Sequence, residues 1–173
     1  MLIQTDSKPN CCDKWEYKLN PDINWNITFK KIQKNREIKL KWFQIRLVHR
    51  ILATNVALIH MGVENDITCS FCKKERDAID HIFLRCASIR PFWEQLQMAI
   101  NDRGVNTVSI TLNESIVLFG HDVNFRSDDT FNLIILVAKF LFTNVKLKSL
   151  YHSFIFSNSI LEILSKYINT TQK

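Results

Sequence analysis

Three cysteines and one histidine lie close together in this 173-residue chain, within the segment CSFCKKERDAIDHIFLRC. Their spacing is Cys69-x2-Cys72-x8-His81-x4-Cys86. Two cysteines three positions apart can place both sulfurs on one ion in a tight knuckle. A histidine and a cysteine further on complete the tetrahedral set that Zn²⁺ prefers. The spacing therefore predicts a metal site, which restricts how the chain can fold around it.

The ligand types indicate the kind of site. Three thiolates and one imidazole, with no carboxylate beside the cysteine pair, indicate a closed structural zinc site rather than a hydrolytic one. His81 is predicted to lie on a helix. Because five positions along an ideal helix correspond to a rotation of about 140°, Cys86 must lie where that helix has unwound. The alternative is a coincidence of spacing, with three buried cysteines and a surface histidine.

The composition favours helices. Only three glycines and three prolines are present, which leaves little material for the turns of a many-stranded protein. The predicted fold class is mainly α, a small helical bundle with an inserted Cys-Cys-His-Cys zinc knuckle and little or no sheet. The predicted domains are an irregular N-terminal arm over 1–26 and a single helical domain over 27–173. That domain contains the zinc knuckle at 67–87 and a C-terminal helical tail at 113–169.

Apolar periodicity and capping residues predict the individual helices. In the first half they lie over 27–52, with a break near Asn35, and over 55–61, with Asn55 as N-cap and Gly62 as stop. A third helix lies over 77–85, and a fourth follows Ser88 with Pro91 in its first turn. The remaining helices are predicted over 115–119, before Gly120, and over 131–144 and 150–168. Residues 105–112 are predicted to form a short strand or a loop.

Basic residues are concentrated in one window. Between Lys30 and Arg50 there are eight basic residues and one acid, Glu37, whereas the remainder of the chain is nearly balanced. Such a concentration points to an anionic partner such as nucleic acid. A solvated helix face is the alternative.

On a helical wheel this window carries one narrow basic stripe, made of Lys39, Arg46 and Arg50. Trp42 and Phe43 border it. The basic side chains would contact phosphates, and one of the two aromatic rings would stack on an unpaired base. The predicted nucleic-acid-binding residues are Lys30, Lys31, Lys34, Lys39, Trp42, Arg46, Arg50, Lys73 and Lys74.

Several motifs between Trp42 and Leu96 occur together in one known family. They are an aromatic-basic helix ending in HRIL, the dipeptide TN, the pair CSFC, a helix with HIFLRC, and FW shortly after. In this combination the chain resembles the zinc-binding domain that follows the reverse transcriptase in the polyproteins of LINE-type (non-LTR) retrotransposons. The downstream VLFG and LIILVAKFLF resemble the tail of that domain, so the resemblance covers roughly residues 25–160. Ala53 stands where such elements usually carry proline.

The resemblance implies a C-terminal, non-catalytic piece of a retroelement protein that grips template RNA or target DNA beside the polymerase. In that family the matching positions of Cys69, Cys72, His81 and Cys86 are the metal ligands. No polymerase palm motif, endonuclease constellation or RNase H constellation is visible, so we expect no enzyme. Two alternatives stay open. The chain is either an interaction module that docks on the polymerase portion, which would expose an apolar patch of several hundred Å² when alone, or a decayed retroelement fragment.

The N-terminus has no secretory signal, and the longest apolar stretch, 131–142, is too short for a bilayer span. We therefore expect an intracellular protein, cytoplasmic, nuclear or both, with neither a membrane nor a small-molecule substrate among its partners. Cys11 and Cys12 are expected to be a free thiol pair in a loose arm. Asp128 and Asp129 are expected to begin a helix, where acids favour the dipole, rather than to form a polymerase pair.

Overall fold

The computed structural model describes residues 8–19, 23–102, 111–121 and 126–147, and within these ranges the backbone is mainly helical. The elements are α1 (Asn10–Leu19), α2 (Trp25–Lys34), α3 (Ile38–Val48), α4 (Asn55–His60), a π-helical turn (His81–Arg85), α5 (Arg90–Asp102), α6 (Glu114–Phe119) and α7 (Arg126–Leu147). These ranges contain no β-strand, and their sheet pairing is limited to an isolated antiparallel bridge between Thr68 and Arg76. The predicted fold class is confirmed.

The predicted irregular arm is wrong for its central part, because α1 is a helix packed on the core. Pro9 lies directly before α1, where a missing N–H removes no helical hydrogen bond, so it precedes the helix rather than interrupting it. Trp15 is fully buried and donates from Nε1 to the carbonyl of Val48 at 2.8 Å. Its ring meets that of Phe119 edge to face, with the centroids 5.5 Å apart. The N-terminal segment is therefore an integral part of the bundle.

The predicted long helix is two helices, with the break near Asn35 as expected. Asn24 caps α2 by accepting from the N–H of Ile27 at 3.2 Å. α3 ends at Val48 rather than Leu52, in a Schellman motif. In that motif the N–H of Ile51 bonds to the carbonyl of Arg46 at 2.8 Å and that of Arg50 to Leu47 at 3.0 Å. Arg50 takes the left-handed conformation there, with φ at 61°.

The shorter helices follow their capping residues. Thr54, not Asn55, caps α4 by accepting from the N–H of Ala57 at 3.2 Å. The Asn55 amide instead donates to the carbonyl of Thr68 at 2.9 Å. Asn113 caps α6 in the same way, through the N–H of Ile116 at 2.9 Å. α5 begins at Arg90, with Pro91 in its first turn as predicted.

The long helix α7 passes through the core, because apolar side chains lie on most of its circumference. Its ring contacts reach two sides of the bundle. Phe140 meets Phe43 of α3 at 5.6 Å between centroids, and Phe142 meets Phe92 of α5 at 4.5 Å. Lys139 departs from this apolar pattern: it carries a titratable amine, yet it is only 2% exposed.

Parts of the predicted organisation lie outside the described residues. They are the helix over 150–168 and most of the strand or loop over 105–112. Apart from the correction for α1, the predicted domain bounds stay a prediction. None of the helices in the described ranges combines the length and apolarity needed to cross a bilayer.

Candidate metal centre

The first two cysteines lie within a tight loop. The antiparallel bridge between Thr68 and Arg76 closes this loop, and the N–H of Cys69 bonds to the carbonyl of Glu75 at 2.6 Å. Inside it, the N–H of Lys73 returns to the carbonyl of Cys69 at 2.9 Å. Lys73 has a φ of 56°, the left-handed conformation that usually favours glycine. The chain reverses direction within a few residues, which places the sulfurs of Cys69 and Cys72 on the same side.

The other two candidate ligands flank the π-helical turn. The N–H of Cys86 bonds to the carbonyl of His81 at 2.8 Å, an i to i−5 bond. In a π-turn, residues five positions apart are one turn apart and therefore share a face. The predicted unwinding at Cys86 is confirmed only in part: Cys86 itself has left the helix with ψ at 116°, but the preceding turn is widened rather than unwound.

Four side chains converge between the loop and the π-turn. One ligand atom from each of Cys69, Cys72, His81 and Cys86 lies within 4.8 Å of the others. The sulfurs of Cys69 and Cys86 are 3.9 Å apart, and the sulfur of Cys72 is 3.4 Å from Nε2 of His81. Tetrahedral zinc at ordinary bond lengths separates two sulfurs by about 3.8 Å and a sulfur from a nitrogen by about 3.6 Å. The set therefore fits a zinc ion, and the alternative of coincidental spacing is wrong.

Glu75 completes the surroundings of His81. Its Oε2 lies 3.1 Å from Nδ1 of the ring, on the side away from the sulfurs. Metal-binding histidines usually donate their second nitrogen to a carboxylate or carbonyl, which orients the ring. The sequence pattern predicted no carboxylate near the pair and did not reveal Glu75, because the contact depends on how the loop turns back on His81. The sequence did contain one signal for this contact, a carboxylate between Cys72 and His81.

The thiols are polarised even without a metal. The hydrogen bond from Cys86 lowers the pKa of Cys69 to about 4, with help from the backbone N–H groups of Cys72 and Phe71. The same contact raises the pKa of Cys86. Burial acts to raise the pKa of Cys72, but N–H groups of Glu75 and Lys74 outweigh it and the pKa is lowered. Backbone N–H groups therefore face both sulfurs of the knuckle, which favours thiolates.

A buried carboxylate connects the centre to α1. Asp80 is only 2% exposed and lies directly before the π-turn. Its Oδ1 pairs with Nζ of Lys18 in α1 at 2.6 Å, and its Oδ2 pairs with Arg85. Because a buried charge is costly when unpaired, both cations stabilise this carboxylate, and Lys18 connects the start of the π-turn to the N-terminal helix.

The structure divides the predicted nucleic-acid-binding residues into two groups. The exposed residues are Lys30, Lys34, Lys39, Trp42, Arg46, Lys73 and Lys74. Lys39, Trp42 and Arg46 are spaced by three and four positions along α3, so they share one side of the helix. We call these three residues the α3 face. Phe43, the other ring considered for stacking, is buried at 5% exposure and belongs to the core.

Two predicted contact residues are engaged elsewhere. Because α3 ends at Val48, Arg50 leaves the predicted stripe, and its guanidinium lies 4.7 Å from the centroid of the Trp15 ring. Lys31 is half-buried and donates from Nζ to the carbonyl of His121. The stripe of Lys39, Arg46 and Arg50 is therefore wrong for its third member.

For the two other residue pairs considered in the sequence, the structure corrects the prediction for the cysteine pair and agrees with the one for the aspartate pair. Cys11 and Cys12 are buried in α1 rather than lying in a loose arm. Burial raises the pKa of Cys12 to about 12, with its neighbour adding to the effect, so this thiol is unreactive. Asp128 and Asp129 lie in the first turn of α7, the predicted start of a helix.

Fold and site together define a small helical domain built around a Cys₃His zinc centre. A family model described as zinc-binding in reverse transcriptase matches residues 6–93, slightly more than half of the chain, and the chain belongs to this family. The match begins ahead of α1 and ends in α5, so it includes the loop, the π-turn and the N-terminal helix. This family is an accessory zinc-binding domain, not a catalytic one. No curated protein and no solved structure matches the chain.

Proposed function

We propose that this chain is a non-catalytic, zinc-stabilised module that grips template RNA or target DNA beside the reverse transcriptase of a LINE-type (non-LTR) retrotransposon. In this proposal Cys69, Cys72, His81 and Cys86 hold the ion. The family supports the zinc and the association with reverse transcription. The non-LTR origin rests on the motif set HRIL, TN, CSFC and HIFLRC.

The ion would supply structure rather than chemistry. Three thiolates and an imidazole fill a tetrahedral coordination shell, which leaves no position for a substrate. The residues around it transmit that rigidity to α3: Phe83 of the π-turn meets Phe43 of α3 edge to face, with the centroids 6.5 Å apart. The α3 face lies on another side of the same helix. This link between metal centre and basic helix is the observation that carries the proposal.

The α3 face combines the two groups that single strands require. Lys39 and Arg46 are exposed cations three residues before and four residues after Trp42, whose side chain is 56% exposed. A tryptophan left in solvent on a helix with a packed core side is unusual, because burying it would stabilise the fold. Stacking of a base on an aromatic ring contributes about 1–3 kcal/mol, and neighbouring cations neutralise phosphates.

The other exposed cations would extend this contact. Lys30 and Lys34 are one turn apart on α2, and Lys73 and Lys74 follow the second cysteine of the knuckle. In the proposal they supply additional phosphate contacts without reading bases. Lys31 and Arg50 contribute mainly through the packing contacts described above.

Salt dependence tests the proposal directly. Binding of a single-stranded oligonucleotide to the zinc-loaded chain should weaken with salt, and the double variant Lys39→Glu/Arg46→Glu should bind more weakly. Because it removes two phosphate contacts, the logarithmic salt slope should fall by about 1.4. The matched control is Lys14→Glu/Arg90→Glu, which changes the net charge equally at exposed positions outside the α3 face. Equal slopes for the two double variants would rule out the α3 face as the contact.

A docking function is the second candidate, and α4 is the observation that favours it. None of the residues of α4 is buried, and Met61 and Val63 immediately after it are 65% and 68% exposed. Such a surface suits a protein partner, such as the polymerase portion of the parent protein. Met61→Ser/Val63→Ser should weaken binding to that portion and leave oligonucleotide binding unchanged if both surfaces are used.

A further inference from the structure

A cavity of about 520 Å³ lies between α2, α3 and α7, apart from the metal centre. Its volume is within the range of small-molecule sites, about 300–1,000 Å³. Basic side chains dominate the charged groups that line it, against one acid, Glu37. These basic residues are Lys31, Lys34, Arg36, Lys41 and Lys139.

The wall of the cavity is apolar. Ile32 of α2 and Leu133 and Leu136 of α7 contribute to it. Three amide side chains line the cavity, and each is bonded to the backbone. Asn35 accepts from the N–H of Glu37 at 2.9 Å. Gln44 donates to the carbonyl of Leu118 at 2.8 Å, and Asn132 accepts from the N–H of His121 at 2.6 Å and donates to its carbonyl. A flat apolar group would therefore be held there without specific hydrogen bonds.

Lys139 lines the cavity, and the two acceptors of its amine are neutral. The side chain is 2% exposed, and Nζ donates to Oε1 of Gln44 at 2.9 Å and to the carbonyl of Leu118 at 2.8 Å. Both acceptors are neutral, and an ammonium has three donors. Burying a cation without a counter-charge is costly, so an anion in the cavity would stabilise the native state.

We propose that this cavity binds one nucleotide unit of a single-stranded nucleic acid, with the base against the apolar wall and the flanking phosphates among the basic side chains at the mouth. The inference rests on the proposed function, because it specifies how the same nucleic acid is held. A fatty acid would need one cation for its single carboxylate, whereas a polynucleotide presents a phosphate on each side of an inserted base. Lys31 and Lys139 are engaged with protein acceptors, but three further cations line the cavity, Lys34, Arg36 and Lys41, and they suit the second ligand better than the first.

The position of Lys41 connects the cavity with the α3 face. It lies between Lys39 and Trp42 in sequence, on the flank of α3 that lines the cavity. A strand that crosses α3 would meet Trp42 and the cavity in succession. Because the amides in the wall are already bonded, we expect little preference for one base.

The first test uses small probes and the zinc-loaded chain. Uridine 5′-monophosphate and adenosine 5′-monophosphate should shift the NMR signals of Gly120, Asn132 and Gln44. Each should bind at least tenfold more tightly than its nucleoside or inorganic phosphate. Equal binding of inorganic phosphate would reduce the cavity to an anion site, and tighter binding of decanoate would assign it to an acyl chain; either result overturns the proposal.

The second test separates the cavity from general charge effects. Leu136→Phe adds bulk to the wall without changing the charge, and Met98→Phe adds the same group at a position 58% exposed on α5. Leu136→Phe should weaken mononucleotide and oligonucleotide binding at least fivefold, and Met98→Phe should leave both within twofold. In case the added ring disturbs the fold, Lys34→Glu changes the mouth at an exposed position and should weaken mononucleotide binding about fivefold, against Lys14→Glu as control.

The outcomes distinguish this inference from the proposed function. If the wild-type chain binds mononucleotides in the cavity but no oligonucleotide, the proposed function fails, and the cavity is not a site for a strand. If the chain binds oligonucleotides with the expected salt slope but Leu136→Phe binds them as tightly as Met98→Phe does, only the cavity proposal is overturned.

Discussion

His81 lies between two different partners, with Nδ1 3.1 Å from Oε2 of Glu75 and Nε2 3.4 Å from the sulfur of Cys72. A carboxylate that accepts from Nδ1–H fixes the tautomer in which Nε2 carries the lone pair. It also increases the basicity of that nitrogen as a ligand. Glu75 is itself 62% exposed, so its contact with the ring, and not core packing, explains its position.

Replacing Glu75 should therefore weaken zinc binding while leaving the ligand set intact. Glu75→Ala should lower the affinity for zinc about 10–100-fold, measured by competition with a chromophoric chelator. Glu75→Gln should restore part of the loss, because the amide oxygen can still accept from Nδ1–H. Glu64→Ala, which removes an exposed acid before the loop, is the control. An affinity for Glu75→Ala equal to that of Glu64→Ala would contradict this role.

The stoichiometry of zinc should depend on the cysteines of the cluster and not on the other two. Cys72→Ser should lose most of its zinc affinity, since a serine hydroxyl is a poor ligand for this metal. Zinc at 1,000 times its dissociation constant stabilises the native state by about 4 kcal/mol, so this contribution should disappear from the free energy of unfolding. Cys12→Ser should still bind one zinc per chain. Metal analysis with urea unfolding measures both quantities, and one zinc per chain in Cys72→Ser would contradict the ligand assignment.

The ligand set could be predicted from the sequence because its information is local. A pair of cysteines three apart constrains the backbone strongly, and few conformations other than a knuckle satisfy it. The π-turn that aligns His81 with Cys86 could not be predicted, because it differs from an α-turn by one hydrogen-bond step and carries no residue signal. Glu75 was missed for a related reason: its contact with His81 depends on how the loop closed by Thr68 and Arg76 folds back, which local sequence does not show.

Helix ends were harder to predict where an unusual residue replaces the expected one. The left-handed position after α3 normally carries glycine, but here it is Arg50, so the apolar pattern continued without a visible stop to Leu52. The ring of Trp15 lies 4.7 Å below the guanidinium, which offsets the backbone cost with a cation–π contact. That ring comes from α1, a tertiary partner that local sequence cannot reveal. The same lack of long-range information hid the burial of Lys139.

The knuckle has a second unusual backbone position, and it provides a stability test. Lys73 has a φ of 56°, which costs a non-glycine residue about 1–2 kcal/mol. Glycine pays instead about 0.5–1 kcal/mol in chain entropy. Lys73→Gly should therefore be neutral or stabilising by up to about 1 kcal/mol. Lys74→Gly should be destabilising, because it adds the same entropy cost of folding without removing a strained backbone conformation. Urea unfolding of the zinc-loaded variants measures the difference, and a Lys73→Gly less stable than Lys74→Gly would contradict the strain.

Substitution by alanine should destabilise the protein to different extents at Gly62 and Gly120. Both Gly62 and Gly120 have positive φ, at 71° and 87°, so alanine is strained at both, and more at Gly120, whose ψ of 167° puts it in a region that essentially only glycine occupies. A Cβ at Gly62 meets nothing within 4 Å, whereas at Gly120 it would lie 2.6 Å from Oδ1 of Asn132. That amide holds the backbone of His121.

Gly120→Ala should therefore be less stable than Gly62→Ala by about 1–3 kcal/mol, because displacing Asn132 removes its two hydrogen bonds to the backbone of His121. Thermal unfolding of both variants provides the comparison. Equal losses would mean that Asn132 moves aside at no cost.

Lys139 should make the stability of the domain depend on pH. Burial lowers its pKa to about 7 from an ordinary value of 10.5, so between these values the unfolded chain binds a proton that the native state does not. Stability therefore rises with pH through this window, with a slope of up to about 1.4 kcal/mol per pH unit. Below pH 7 both states are protonated, and the cost of burying the charge is present in full.

Lys139→Met isolates this effect, because every other titrating group is shared by the two proteins. The other charged groups that line the cavity are present in both proteins, namely Lys31, Lys34, Arg36, Glu37 and Lys41. The variant removes the buried charge and leaves the carbonyl of Leu118 with its bond from Gln44. Its advantage over the wild type should be largest near pH 7 and shrink as the pH approaches 10. Urea unfolding of zinc-loaded protein between pH 7 and 9.5 measures the difference, and a difference that is constant with pH would show that Lys139 keeps its ordinary pKa in the folded state.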